Sequence, residues 1–335
     1  MKKIRVLQVG YRHDHARQTF NSIMRLSDHF EIVGIADENV EGAKKTINNA
    51  PAYYSIEEAL KLDIDAVAIE CEEESATKYA LMFAERGIHV HLDKPGSQNI
   101  ADFHRLIDIV KNKNLVLQMG YMYRFNPQVQ KALQMAKNGE LGEIFSVEAQ
   151  MSVRHTKEKR EWLGKHKGGM LYFLGCHLID LILLFCGEPK EIIPLNCQTG
   201  TDEVDSTDLG FVVFKYDNGV SFVKSCASEF NGFARRQLVV TGSLGTVEIK
   251  PLEIIQENEN QITNAYTTLE KDKVNPWSDK STKSSEFFNR YDNMMRDFAL
   301  CVAGEKTNEF TPDYEKLVFD TIMKCCDVTE QGETQ

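Results

Sequence analysis

From Ile4 to Met119 the chain alternates short, continuously apolar runs with segments of helical periodicity. Ile4–Val9, Glu31–Ala36, Ala66–Ile69, Ile88–Leu92 and Leu115–Met119 read as strands. His15–Leu26, Ser55–Leu60, Ala76–Arg86 and Ile100–Lys111 read as helices, with Ser55 and Glu58 spaced as a capping box. Strands without polar alternation are buried on both faces, which a parallel sheet covered by crossover helices provides. The expected class is an α/β, Rossmann-type N-terminal domain.

Such sheets bind ligands at the carboxyl ends of their strands. Asp93-Lys94-Pro95 follows Ile88–Leu92 directly. A proline lacks the backbone donor a ladder needs, so it ends the strand and leaves Lys94 at that edge. Asp37 ends the second strand, where a carboxylate accepts ribose hydroxyls and repels a 2′-phosphate, favouring NAD over NADP. The same residue also reads as a helix N-cap. In the first loop only Gly10 keeps the glycines of a GxGxxG turn, Arg12 and His15 holding the other two positions. Arg12 offers a phosphate a guanidinium in their place. No metal site is expected, because His13, Asp14 and His15 are neighbours on a loop-to-helix turn and should point apart. Glu70, Glu72, Glu73 and Glu74 crowd the loop after the third strand. They read either as a helix start favoured by the macrodipole or as charges facing a pyrophosphate.

After Tyr123 the texture changes. Asn126-Pro127 opens a helix to about Asn138, and β-rich segments follow at Glu143–Val153, Ile192–Cys197, Leu209–Tyr216, Val220–Ser225, Gln237–Thr241 and Thr246–Ile249. Asp217-Asn218-Gly219 is a hairpin turn. Residues 257–285 are polar and aperiodic and read as an exposed excursion, before helical patterns return at Glu286–Ala303 and from Asp313. Two domains are expected: 1–122, Rossmann, and 123–335, an α+β domain for substrate binding and oligomerisation. The second should hold an open-faced, mainly antiparallel sheet. Helices on one face leave the other uncovered, so a homodimer or homotetramer is expected.

A net charge of −11 argues against nucleic-acid and anionic-membrane partners. No apolar stretch reaches bilayer length, and the chain enters a strand at once with no room for a signal peptide. The eight cysteines lack metal-type spacing and read as reduced thiols, so a cytoplasmic setting is expected. Between Met151 and Met170, six cations (Arg154, Lys157, Lys159, Arg160, Lys165 and Lys167) face only Glu158 and Glu161, with His155, Trp162 and His166 interleaved. This segment reads as a solvated loop or as a recognition surface for an acidic substrate group.

Several separated segments match one family in order. They are the first strand with Gly10, Asp37, Asp65–Val90 running into Asp93-Lys94-Pro95, Gly120–Pro127 with Tyr123 and Arg124, and Gly168-Gly169 through Gly175-Cys176-His177-Leu178-Ile179-Asp180. Over essentially its whole length the chain resembles the glucose–fructose oxidoreductase / inositol dehydrogenase (Gfo/Idh/MocA) family. The resemblance implies an NAD(P)-dependent oxidoreductase of sugars, polyols or their acidic derivatives, with Lys94 and His177 catalytic. It implies cofactor contacts from Gly10, Tyr11, Arg12, His13, Asp37, Cys71, Asp93, Lys94 and Pro95, and substrate contacts from Tyr123, Arg124, Trp162, Phe173 and Asp180. Tyr123 would be a third proton donor. Phe173 stands where the family often has a catalytic aspartate, four residues before the histidine on one helical face, and would instead stack on a sugar ring. Some relatives use a tightly held NAD for elimination or hydrolysis. A reading from another class is a ligand-sensing or regulatory protein on the same scaffold, motivated by the lost glycines, the glutamate loop and Phe173.

Overall fold

In the computed structural model, which describes residues 3–256, 260–272, 277 and 280–329, the chain forms two compact units. The first is built on β1 (Ile4–Val9), β2 (Phe30–Ala36), β3 (Tyr53–Tyr54), β4 (Ala66–Ile69), β5 (His89–Leu92) and β6 (Leu117–Met119). Their order is β3-β2-β1-β4-β5-β6, and the pairs are parallel. α1 (Ala16–Arg25), α2 (Val40–Thr46), α3 (Ile56–Ala59), α4 (Glu73–Ala84) and α5 (Ile100–Asn112) are the crossovers. Ser55 and Glu58 form the expected capping box at α3.

Register places the site. Val9 pairs with Ala36 and Ile69, Ile69 with Leu92, and Leu92 with Met119. The next residue of each strand is therefore Gly10, Asp37, Glu70, Asp93 or Gly120, a single row along the carboxyl edge. Backbone bonds continue into it, from Glu70 N–H to Val9 O at 2.7 Å and from Asp93 N–H to Ile69 O at 3.1 Å.

The second unit holds α6 (Pro127–Lys137), β7 (Ile144–Gln150), α7 (Lys157–Leu163), α8 (Cys176–Cys186) and strands β8 (Glu191–Pro194), β9 (Leu209–Tyr216), β10 (Gly219–Cys226), β11 (Gln237–Gly242), β12 (Gly245–Ile249) and β13 (Ile254–Ile255). β14 (Asn260–Leu269) and β15 (Thr282–Asn289) complete its sheet, in which only β7 and β10 pair in parallel. These two strands correct the reading of residues 257–285 as an excursion; 257–259, 273–276 and 278–279 lie outside the described residues. β14 turns Gln261, Thr263 and Ala265 inward. Small and polar inward side chains hide the two-residue period on which a strand is recognised.

A second correction concerns the domains. The compact split falls after Tyr121, close to the expected boundary, but Tyr291–Phe319 returns to the first unit. α9 (Asp292–Val302) buries Met294, Met295 and Phe298 there, and Asp292 accepts from Ser22 at 2.7 Å and Arg25 at 2.8 Å on α1. α10 (Pro312–Cys325) adds Phe319, stacked on Phe103 of α5 with centroids 3.9 Å apart. Among the described residues no helix is long and apolar enough to cross a membrane.

If this segment is core to the first unit, Phe319→Ala should lower unfolding free energy by about 3–5 kcal/mol, the usual cost of deleting a buried phenylalanine. Urea denaturation measures this, and a loss below about 1 kcal/mol would show that the stack is peripheral.

Candidate functional site

The first unit carries one group of candidate residues, at the carboxyl edge of its sheet. Gly10 has φ +90°, and a Cβ there would lie 2.6 Å from the Cys71 backbone, so the loops after β1 and β4 touch only because this residue is glycine. Burial pushes the Cys71 thiol well above its ordinary value, leaving it a neutral packing group. Tyr11 packs on the Phe20, Ile35, Ala43 and Ile47 cluster. Asp37 is buried at the end of β2 and accepts from Asn39 N–H at 2.8 Å. Asn39, not Asp37, caps α2, so the N-cap reading of Asp37 falls away. Arg12 places Nη2 3.5 Å from Asp37 and Nη1 3.5 Å from Glu72.

The glutamates sort by position. Glu72 is the N-cap residue of α4, and Glu73 and Glu74 form its first turn. Glu70 and Glu73 are buried in a cluster the sequence reading did not assemble. His13 and His15 do not point apart, contrary to expectation. Their rings lie 4.8 Å apart, and both reach Asp93 Oδ2, His13 through Nδ1 and His15 through Nδ1 at 3.0 Å. The His13 N–H binds Glu70 O at 3.3 Å, and His15 precedes α1 without capping it, which frees both rings to turn inward. Asp14 between them is exposed. His13 Nδ1 is 3.8 Å from Glu70 and Nε2 is 3.6 Å from Glu73. Burial opposes charge on His13, but Asp93 outweighs it and lifts His13 to about 10, whereas burial prevails at His15 and lowers it to about 4. Lys94 follows, buried beside Pro95, its N–H on Asp93 Oδ1 at 2.7 Å.

The second unit carries its own group of candidate residues. His177, on α8, meets the Tyr123 ring edge-on at 5.1 Å. The Tyr123 hydroxyl donates to Glu253 at 2.5 Å and accepts from Arg236 at 3.1 Å. Burial and Glu253 push its phenol above the ordinary range. The hydroxyl expected to serve as a third proton donor is thus engaged by Glu253 and Arg236. Arg124 and Asp180, expected to touch substrate, form a buried two-pronged ion pair at 2.7 and 2.9 Å.

Phe173 lies in a π-helical turn, Leu171–Gly175, so the α-helical four-residue spacing to His177 does not apply. It packs with Leu163, Met170 and Ala227, edge-on to Trp162 at 5.4 Å, with Lys159 Nζ 4.5 Å from its ring centre and 3.8 Å from that of Trp162. Gly168 has φ +81°, and a Cβ there would strike the Cys326 side chain. Two cations of the basic segment are paired with carboxylates: Arg154 with Asp202 at 3.4 Å, and buried Arg160 with Asp202 directly and with Asp208 at 3.8 Å. Lys157, Lys165 and Lys167 are exposed.

These elements define a Rossmann-type unit, with a strand-end lysine, and a predominantly antiparallel α+β unit, with a helix-borne histidine. Residues 4–121 match the family described as "Oxidoreductase family, NAD-binding Rossmann fold", and 129–248 match the "GFO/IDH/MocA C-terminal domain". The chain belongs to the Gfo/Idh/MocA oxidoreductase family. It is 27% identical over 175 residues to D-xylose 1-dehydrogenase (NADP(+)) 2 of Haloferax volcanii, a match covering 51% of this chain and 53% of that protein. It is 21% identical over 224 residues to myo-inositol 2-dehydrogenase of Thermotoga maritima, covering 65% and 66%. The chain spans about half the length of the first of these curated relatives. The fold is that of the aldose-aldose oxidoreductase of Caulobacter crescentus, at TM-score 0.79, 16% identity and 99% coverage of both chains.

Burial works against ionisation of Glu253, yet Arg290 at 2.6 Å and Arg236 at 2.9 Å hold it below its ordinary 4.5. A depressed carboxyl adds stability that is full above the unfolded value and is lost as pH falls through the folded one. Glu253→Gln, which strands both arginines, should cost about 3–5 kcal/mol near neutrality. The gap to the wild type should narrow below pH 4.5. Denaturant titrations across pH check both points, and a gap independent of pH would refute the charged assignment.

Proposed function

We propose that the chain is an NAD-dependent dehydrogenase acting on a carbinol of a sugar, polyol or acidic derivative. The observation that carries this reading is the carboxyl-edge row, in which Asp37 and Lys94 follow β2 and β5 of one parallel sheet. A dinucleotide fits this edge at its ribose end, through buried Asp37 with Arg12 beside it, and through the glycine-only approach of Gly10 to Cys71. Gly10, Tyr11, Arg12, Asp37 and Pro95 would hold it. When bound it supplies hydride transfer. Lys94 polarises the substrate oxygen, and His177 exchanges the hydroxyl proton, its ring oriented by Tyr123. Asp37 is the reason to favour NAD, although the Haloferax relative is named for NADP. The names of the relatives support a sugar or polyol, and exposed Lys157, Lys165 and Lys167 support an acidic one.

Lys94→Ala should reduce turnover at least about 100-fold while leaving the melting temperature near that of the wild type. Fluorescence titration should show tighter binding of NAD than of NADP. Full activity in the variant would remove Lys94 from the chemistry, and no binding of either nucleotide at millimolar concentration would favour a sensor.

Assembly belongs to the same proposal. Phe211 and Val213 on β9 and Phe222 on β10 share a sheet face, with Phe211 stacked on Phe222 at 5.5 Å and Val213 paired with Phe222. Val220 is 49% and Leu195 56% exposed, more apolar surface than a solvated sheet needs. Light scattering should report a dimer or tetramer at micromolar concentration; a monomer would exclude this role for the face.

A further inference from the structure

We propose that His13, His15, Glu70 and Asp93, with Glu73 behind His13, bind one first-row divalent transition-metal ion. The inference goes beyond the redox reading, since it requires neither nucleotide nor substrate.

Geometry comes first. The ligating atoms of His13, His15 and Asp93 lie within 4.8 Å of one another. Metal–ligand bonds near 2.0–2.1 Å set ligand atoms about 3–4 Å apart, so a small adjustment closes the site. Asp93 Oδ1 is engaged by Lys94 N–H, leaving Oδ2 as a single ligand oxygen aimed at both imidazoles. Glu70 Oε2 stands 3.8 Å from His13 Nδ1 and supplies the fourth group. Glu73, 3.6 Å from His13 Nε2, is placed to accept that N–H and direct the Nδ1 lone pair inward. This carboxylate–histidine arrangement is the usual support of a metal-bound imidazole.

The second observation is independent of the first. Glu70 is fully buried, and neither carboxylate oxygen makes a hydrogen bond. Oε1 faces His91 Nε2 at 3.8 Å. Gln118 donates its amide to Met294 O and Asp297, so its oxygen accepts from His91 Nδ1 at 3.0 Å. The His91 proton is therefore on Nδ1, and its Nε2 lone pair confronts the carboxylate, acceptor against acceptor. A buried acceptor left without a donor is unfavourable, and a cation at this position would satisfy it. Chemistry agrees with a divalent one. The carboxyl groups of Glu70, Glu73 and Asp93 converge on the two imidazoles, and a bound cation would take the place of the protons these groups hold. Mixed imidazole and carboxylate donors suit zinc, manganese or cobalt better than calcium, which takes oxygen ligands. The His15 side chain, 17% exposed, leaves an entry path.

The test uses the full-length protein, stripped with a chelator, free of nucleotide, and titrated with Co2+ while visible ligand-field absorption is followed. The expected result is one Co2+ per chain, at micromolar affinity or tighter, displaced by Zn2+. His15→Gln and Glu70→Gln should each weaken binding by at least about tenfold. Should Glu70→Gln fail to fold, His15→Gln decides alone, because His15 is partly exposed and caps nothing. Absence of stoichiometric binding, several weak equivalents without visible bands, or unchanged affinity in the folded variants would overturn the proposal.

Discussion

The in-register parallel sheet of the first unit is the constraint from which the rest follows. Val9, Ala36, Ile69, Leu92 and Met119 end their strands level with one another. Whatever residue comes next is delivered to the same edge, within reach of its neighbours. Five strands far apart in sequence thus contribute Asp37, Gly10, Glu70, Asp93 and Gly120 to a row of adjacent positions. A slip by one residue would turn each of these side chains to the opposite face.

That edge is costly to build. Glu70, Glu73 and Asp93 are carboxylates removed from water in one neighbourhood, and burying a charge is unfavourable unless it is paired. His13 and His15 answer Asp93, while Glu70 stands 3.8 Å from both His13 and His91. The second unit handles buried charge differently. Arg124 and Asp180 satisfy each other, and Glu253 is held by Arg236, Arg290 and the Tyr123 hydroxyl. Such paired, hydrogen-bonded networks rigidify their surroundings. Tyr123 is held by one of them and its ring packs T-shaped against His177, so the proposed acid/base group rests on rigid support.

The basic segment shows how fold edits charge. Along the chain it is strongly cationic, but Arg160 is buried against Asp202 and Asp208, and Arg154 also pairs with Asp202. What remains exposed is a smaller set of lysines. The aromatic pair Trp162 and Phe173, with Lys159 over both rings, belongs mainly to packing.

Local pattern was enough to establish the α/β first unit, the ends of its strands, the capping box at Ser55 and the edge positions of Asp37 and Lys94. Strand periodicity and proline or glycine stops act over a few residues, and a single chain displays them directly. The family was legible for the same reason, because its motifs are short and contiguous. Pairing across distance was not legible. Nothing near Arg124 announces Asp180, nothing near Tyr123 announces Glu253, and the return of Tyr291–Phe319 to the first unit leaves no local trace. The His13, His15, Glu70 and Asp93 cluster was half visible, since each residue lies just beyond β1, β4 or β5. Only strand order and register make those ends neighbours. Whether adjacent histidines diverge or converge depends on backbone turns and on the carboxylate they meet, and that is a tertiary decision.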